Sequence, residues 1–400
     1  MKRLLLFTLL AFVSWGSAEP GDLLEATRTA TLQPTDINRV SGGRFRNNGE
    51  DAPQAQNGIT AYLMVFESTG LDGEPTPVTA QVFVPQIDEA EAPTFVFGPG
   101  STGLVEACAP SRGYVESRSW DTYNAYTLAY AGQGFVGVMP NYMGFFVEGE
   151  LQPYFSQVAE GRALLDAARA TQTLLEQEST LSSSGTFFGG FSQGGHAAFA
   201  AADLWADYAP EVDLQGVLGF GATTGLEALF REFTYVAPWV VYAYNTFFPK
   251  RIDPSSILAE PYLSQLANDA ERFCVLGAQG YYPSNPETLY QPAFSEALLN
   301  GTLEDDYPEV AELFAENDAG LAEHGVPAII LQGVNDPVVL LETQNDFVRA
   351  LCEDGSRVRY PNYLRTRHET RYIGFNEAVE WMRARVAGET SPSDCETLDD

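Results

Sequence analysis

Three residues far apart in the chain have the types that hydrolytic chemistry needs: Ser192, Asp336 and His368. Ser192 lies in Gly190-Phe191-Ser192-Gln193-Gly194, a G-x-S-x-G pentapeptide. Such a pentapeptide presents a serine on a sharp turn from strand to helix, and its glycines leave room for close packing. A serine hydroxyl is a weak nucleophile at neutral pH. It needs a base, and the base needs an acid to orient it. The chain offers three histidines. His196 is four residues beyond the serine on the same expected helix and points along it, so it reads as a packing residue. His324 precedes an expected strand, whereas sites in open α/β sheets lie at the C-terminal strand edges. His368, in LRTRHET, falls in the loop between the last strand and the last helix, and fits the base.

The acid is expected at Asp336, in AIILQGVNDPVV, just past a short buried strand. Pro337 favours an extended or turn conformation at the residue before it. Glu342, Asp346 and Asp354 fall in helical or surface settings that suit this role less. The order serine, aspartate, histidine is that of α/β-hydrolases. An oxyanion intermediate needs main-chain donors. One is expected at the N–H of Gln193 and the other in FVFGPGSTG, from Ser101 or Thr102.

Strand candidates that would carry these residues are Ala61–Phe66, Val78–Val84, Thr94–Phe97, Phe135–Met139, Thr186–Phe191, Leu214–Phe220, Ala328–Leu331 and Arg357–Leu364. Helix patterns run over Gln157–Glu176, Gly194–Trp205, Thr343–Cys352 and Phe375–Val386. Strands separated by helices predict an α/β fold with a mostly parallel central sheet covered on both faces. The alternation breaks after Phe220, where about a hundred residues carry aromatic clusters, including FREFTYVAPWVVYAYNTFFPKR, but little strand pattern. The expected organisation is a signal segment (1–18), a first part of the core (19–220), a helical cap insertion (221–326) and a second part with the tail (327–400). The cap aromatics could line an acyl-chain pocket or form the cap's own core.

Lys2 and Arg3 followed by an apolar run from Leu4 to Val13 and small residues through Ala18 read as a secretory signal, too short to span a bilayer. Cleavage there removes two basic residues and no acidic one, taking the net charge from -32 to -34. Such a surface repels nucleic acid and anionic membranes. The four cysteines, Cys108, Cys274, Cys352 and Cys395, suit two disulfides in an exported chain, and four allow three connectivities. No C-x-x-C spacing exists and histidines are few, so no metal is expected, and acyl transfer by a serine needs no cofactor. Asn300-Gly301-Thr302 is a glycosylation acceptor only in a eukaryotic host.

At this point the chain resembles the fungal and bacterial secretory lipases of the yeast lipase A type. GPGSTGLVEACAPS is similar to the family's oxyanion segment with its Cys-Ala-Pro-Ser element, MPNYMG to a strand ending in Asp-Tyr-x-Gly, and EGRALLDAARA to the following helix. GFSQGGHAA, GVNDPVV and RTRHET match the elbow, acid and base segments. Asn141 stands where many members have Asp, and FGPGST lacks the histidine of the family's His-Gly-Thr. The resemblance implies a secreted α/β-hydrolase that cleaves carboxylic esters under a helical lid, with transient contact to a lipid interface. It also implies the pairs Cys108–Cys274 and Cys352–Cys395. Alternatives are a short-chain or aryl esterase, a serine peptidase on the same fold, or a binding module that kept the scaffold without catalysis.

Overall fold

Short apolar runs bounded by turn residues form a ten-stranded sheet in the computed structural model, which describes residues 18–112 and 122–398. The expected signal segment lies, apart from Ala18, outside these residues. In chain order the strands are β1 (Leu23–Leu32), β2 (Gly58–Thr69), β3 (Pro75–Gln86), β4 (Glu91–Gly98), β5 (Val136–Pro140), β6 (Ser182–Phe191), β7 (Leu214–Phe220), β8 (Ala328–Gly333), β9 (Val358–Arg359) and β10 (Asn362–Tyr363). Their spatial order is β1-β2-β3-β5-β4-β6-β7-β8-β10, with β9 also beside β8. Pairs from β1 to β5 along this order are antiparallel. Every pair beyond β5 is parallel. The C-terminal ends of β4, β6, β7 and β8 therefore share one edge, where open parallel sheets place their sites.

Alternation along the central strands sorts their side chains into two layers. Val96, Phe188 and Val217 join the cluster filled by α3 (Gln157–Glu178), α4 (Gln193–Tyr208) and α5 (Leu341–Glu353). Phe95, Phe187 and Leu218 face the other way, toward α2 (Thr122–Gly132) and α6 (Phe375–Val386). A further helix, α1 (Pro34–Asn47), adds Phe45 to that second layer.

Between β7 and β8 the chain forms nine α-helices, none longer than eleven residues. They enclose a hydrophobic cluster of their own. Of the two roles open to the aromatic run, the structure gives Phe230, Trp239 and Tyr244 to this core. Cys108 is bonded to Cys274 and Cys352 to Cys395, with Cα–Cα distances of 5.5 and 5.7 Å. These are the pairs implied by the family resemblance.

Two differences from the sequence reading have physical causes. The stretch expected as one strand over Arg357–Leu364 is two short ones, β9 and β10, interrupted at Tyr360-Pro361. Pro361 has no N–H to give a ladder, and only its carbonyl is used, accepting from Gln332 N at 3.1 Å. The other difference is that β1, α1 and α2 were absent from the expected elements.

Candidate active site

β6 ends at Phe191, α4 begins at Gln193, and Ser192 between them has φ 56° and ψ -117°. A serine at positive φ is strained and must be held by its surroundings. Its N–H donates to Phe220 O at 3.1 Å, and its carbonyl accepts from Gly195 N at 2.9 Å and Thr223 N at 3.2 Å. The turn is thus fastened to the end of β7 and the first turn of α4. Close approach explains Gly194, because a β-carbon there would overlap the carbonyl of Gly98 at the end of β4. The loop after β4 therefore runs directly beside the serine.

Asp336 follows β8 and is buried. Its Oδ1 accepts from Val338 N at 2.8 Å and Val339 N at 3.0 Å, and Oδ2 accepts from His368 Nδ1 at 2.8 Å. The two loops are laced together. Asn335 N donates to Thr366 O at 3.1 Å, and Asn335 Nδ2 to Leu364 O at 2.9 Å. The His368 ring lies against Phe191, with centroids 4.7 Å apart, and over Gly221 just past β7. Gly221 has φ 52°, and a β-carbon there would sit 3.0 Å from His368 Nδ1. Ser192, Asp336 and His368 thus come from strand ends at one edge of the sheet. Among the described residues no hydrogen bond joins the Ser192 hydroxyl to His368. Unliganded sites often hold this contact loosely and tighten it around substrate.

Gln193 is the first residue of α4, so its N–H has no partner within the helix. Ser101 and Thr102 lie on the neighbouring loop, and neither main-chain N–H finds a main-chain acceptor among the described residues. The Ser101 hydroxyl shares a 2.5 Å hydrogen bond with Tyr154, and Thr102 O accepts from Val275 N at 2.9 Å. The Val275 contact and the Cys108–Cys274 bond tie the loop to the helical insertion. Asn141, a departure from the family pattern, is buried and donates at 2.7 Å to both Thr79 Oγ1 and Ser111 Oγ. It joins β3 to the turn at Pro110–Arg112.

The structure adds residues that sequence reasoning missed. Glu160 of α3 accepts from Phe155 N at 2.9 Å, from Gln193 Nε2 at 2.6 Å and from His196 Nδ1 at 2.7 Å. His196 Nε2 donates to Asn317 O at 2.7 Å. With Glu160 ionised, its carboxylate and the Asn317 carbonyl offer only acceptors, and both ring nitrogens donate. Arg371 is buried against Tyr123, Phe191 and Tyr372, and one of its nitrogens has no partner among the described residues. Glu160 had a signal in the sequence, since it shares the helical stripe of Leu164 and Ala168.

Residues 123–394 match the family described as secretory lipase. The chain belongs to the secretory lipase family. A secreted triacylglycerol lipase of Malassezia globosa is 25% identical over 363 residues, 84% of this chain and 74% of that one. A trichothecene C-3 esterase of Fusarium sporotrichioides is 24% identical, covering 82% of this chain and 75% of that protein. The rice cell wall degrading esterase LipA of Xanthomonas oryzae, in a mutant crystal structure, aligns over 92% of this chain and 98% of that one. Its TM-score is 0.73 at 17% identity, which establishes the shared α/β-hydrolase fold. As a member of the family the chain is a secreted carboxylic-ester hydrolase. No helix among the described residues is long and apolar enough to cross a membrane.

Proposed function

We propose that the chain hydrolyses acylglycerol-type esters through Ser192 as nucleophile, His368 as general base and Asp336 as the acid that orients it. The observation that carries this reading is the 2.8 Å Asp336–His368 bond seated against Phe191, next to a serine at φ 56°. Ser192 Oγ attacks the acyl carbon and gives its proton to His368. The bond to the alkoxy oxygen then breaks, and that oxygen leaves with the proton. Water, deprotonated by the same histidine, attacks the acyl-enzyme and releases the acid. Asp336 fixes the Nδ1–H tautomer and stabilises the imidazolium. The N–H of Gln193 and that of Ser101 or Thr102 hold the oxyanion. Residues 221–326 act as a cap over the sheet edge, and contact with a lipid surface is brief.

A series of p-nitrophenyl esters from acetyl to palmitoyl, with triacylglycerol emulsions, tests the reading on wild type and Ser192→Ala. Loss of at least about a thousandfold in the variant supports the nucleophile. Turnover by the variant at the wild-type rate removes it. The esterase among the relatives favours a second reading, a small non-lipid ester as substrate. An optimum at acetyl or butyryl with no action on emulsions selects that one.

A further inference from the structure

His368 opens on a cleft of about 640 Å³ lined also by Pro337, Val338, Arg365, Arg367 and, from the insertion, Gln279. Charge at this place runs against the charge of the molecule, which has 54 acidic and 22 basic residues. Several arginines elsewhere are occupied by carboxylates, such as Arg169 by Glu211, Arg251 by Glu316 and Arg359 by Asp394, and others by carbonyls, as Arg357 by that of Ser391. Arg365 and Arg367 are exposed and have no carboxylate partner among the described residues. The lining also includes Glu369 and Glu50. Glu369 is committed to Arg371, through bonds of 2.9 and 3.2 Å. That leaves two arginines and one uncommitted carboxylate, Glu50, in the lining.

Anions approaching so acidic a surface are repelled unless the field is reversed locally. Guanidinium groups suit that task, since their planar fork matches carboxylate and phosphate oxygens. The side of the site decides which half of the substrate they meet. In the reading above, on which this inference rests, the alkoxy oxygen departs with the proton from His368. The alcohol half of the ester thus lies on the histidine side, where the two arginines stand. We infer that this cleft is a subsite for an anionic group on the alcohol half of the ester, held by Arg365 and Arg367.

The test compares para-carboxyphenyl butanoate with its neutral analogue para-carbamoylphenyl butanoate, on wild type and on Arg365→Gln/Arg367→Gln. The expected result is a fall of about fivefold in the charged-to-neutral ratio of kcat/KM in the double variant. The wild-type ratio should also decline as sodium chloride is added. An equal ratio in the two proteins overturns the inference, as does failure of the wild type to turn over the charged ester. Mono-para-nitrophenyl glutarate carries its carboxylate on the acyl half. An equal fall with that substrate overturns the assignment to the alcohol half. Thermal melts show that the double variant is folded. Full activity of Ser192→Ala would remove the serine reading instead, so the two failures are told apart.

Discussion

His196 and Glu160 meet at 2.7 Å where solvent reaches neither side chain. Burial alone pulls the imidazole pKa down, but the charge and hydrogen bond of Glu160, with the Asn317 carbonyl, outweigh it and hold His196 above its ordinary value. A histidine of this kind adds stability that is complete below its unfolded pKa of 6.5 and is lost as pH rises through the folded one. Asp318, which follows Asn317 in the chain, acts in the same direction. Burial pushes its carboxyl up from 3.8 to about 6, so stability declines between those values. The melting temperature is therefore expected to fall as pH climbs above 6.5. His196→Gln should flatten that fall and cost about 3–5 kcal/mol, because Glu160 loses its charged partner. Melting curves at stepped pH check this; parallel curves for the two proteins would assign the slope to other groups.

Asp336→Asn keeps an oxygen for the N–H groups of Val338 and Val339 but turns an amide toward His368 Nδ1. The histidine is then driven to the wrong tautomer. If Asp336 orients the base, kcat drops by about ten-thousandfold while the melting temperature hardly moves. Steady-state kinetics beside calorimetry separate this from unfolding. Activity within tenfold of wild type would exclude the role.

Gly194→Ala would force a methyl group into the Gly98 carbonyl. Strand β4, its loop and the elbow then have to part. The expected cost is about 1–3 kcal/mol in denaturant unfolding, with a larger loss of turnover than of stability. A variant as stable and active as wild type would mean that this contact has slack.

Cys395→Ser frees the tail from α5, opening a loop of 43 residues. Asp394 still holds the same segment, accepting from Arg359 and from Tyr360 N, both at 2.7 Å. The expected loss is about 2 kcal/mol, near the low end for a disulfide, with faster trimming of the C-terminus by carboxypeptidase. Trimming at the wild-type rate would show that Asp394 suffices.

Much of this was legible in the sequence because the central strands are short, apolar and bounded by turn residues. Leu214–Phe220 and Phe375–Val386 have the expected ends to the residue. What escaped notice lacks contrast. Helix α2 is sandwiched, with every residue from Asn124 to Gly132 buried, so no polar face marks its period. Strand β1 runs along the sheet edge with Glu25, Arg28 and three threonines, and its apolar half includes two alanines, which favour strands little. Helix α1 carries Gly42 and Gly43 in its interior, which lowers helix propensity. At the site, residue types and chain order pointed to Ser192, Asp336 and His368. The pairing of Glu160 with His196 joins residues 36 apart in the chain, and local pattern carries no record of such a contact.

The bond from Cys108 to Cys274 makes the insertion something other than a door on two posts. Its chain leaves the sheet after Phe220, returns at Ala328, and is riveted midway to the loop that follows β4. Swinging away as one rigid piece would drag Ser101 and Thr102 with it. A cap of the kind proposed above would have to move as two flaps, one on each side of Cys274, each moored at both ends.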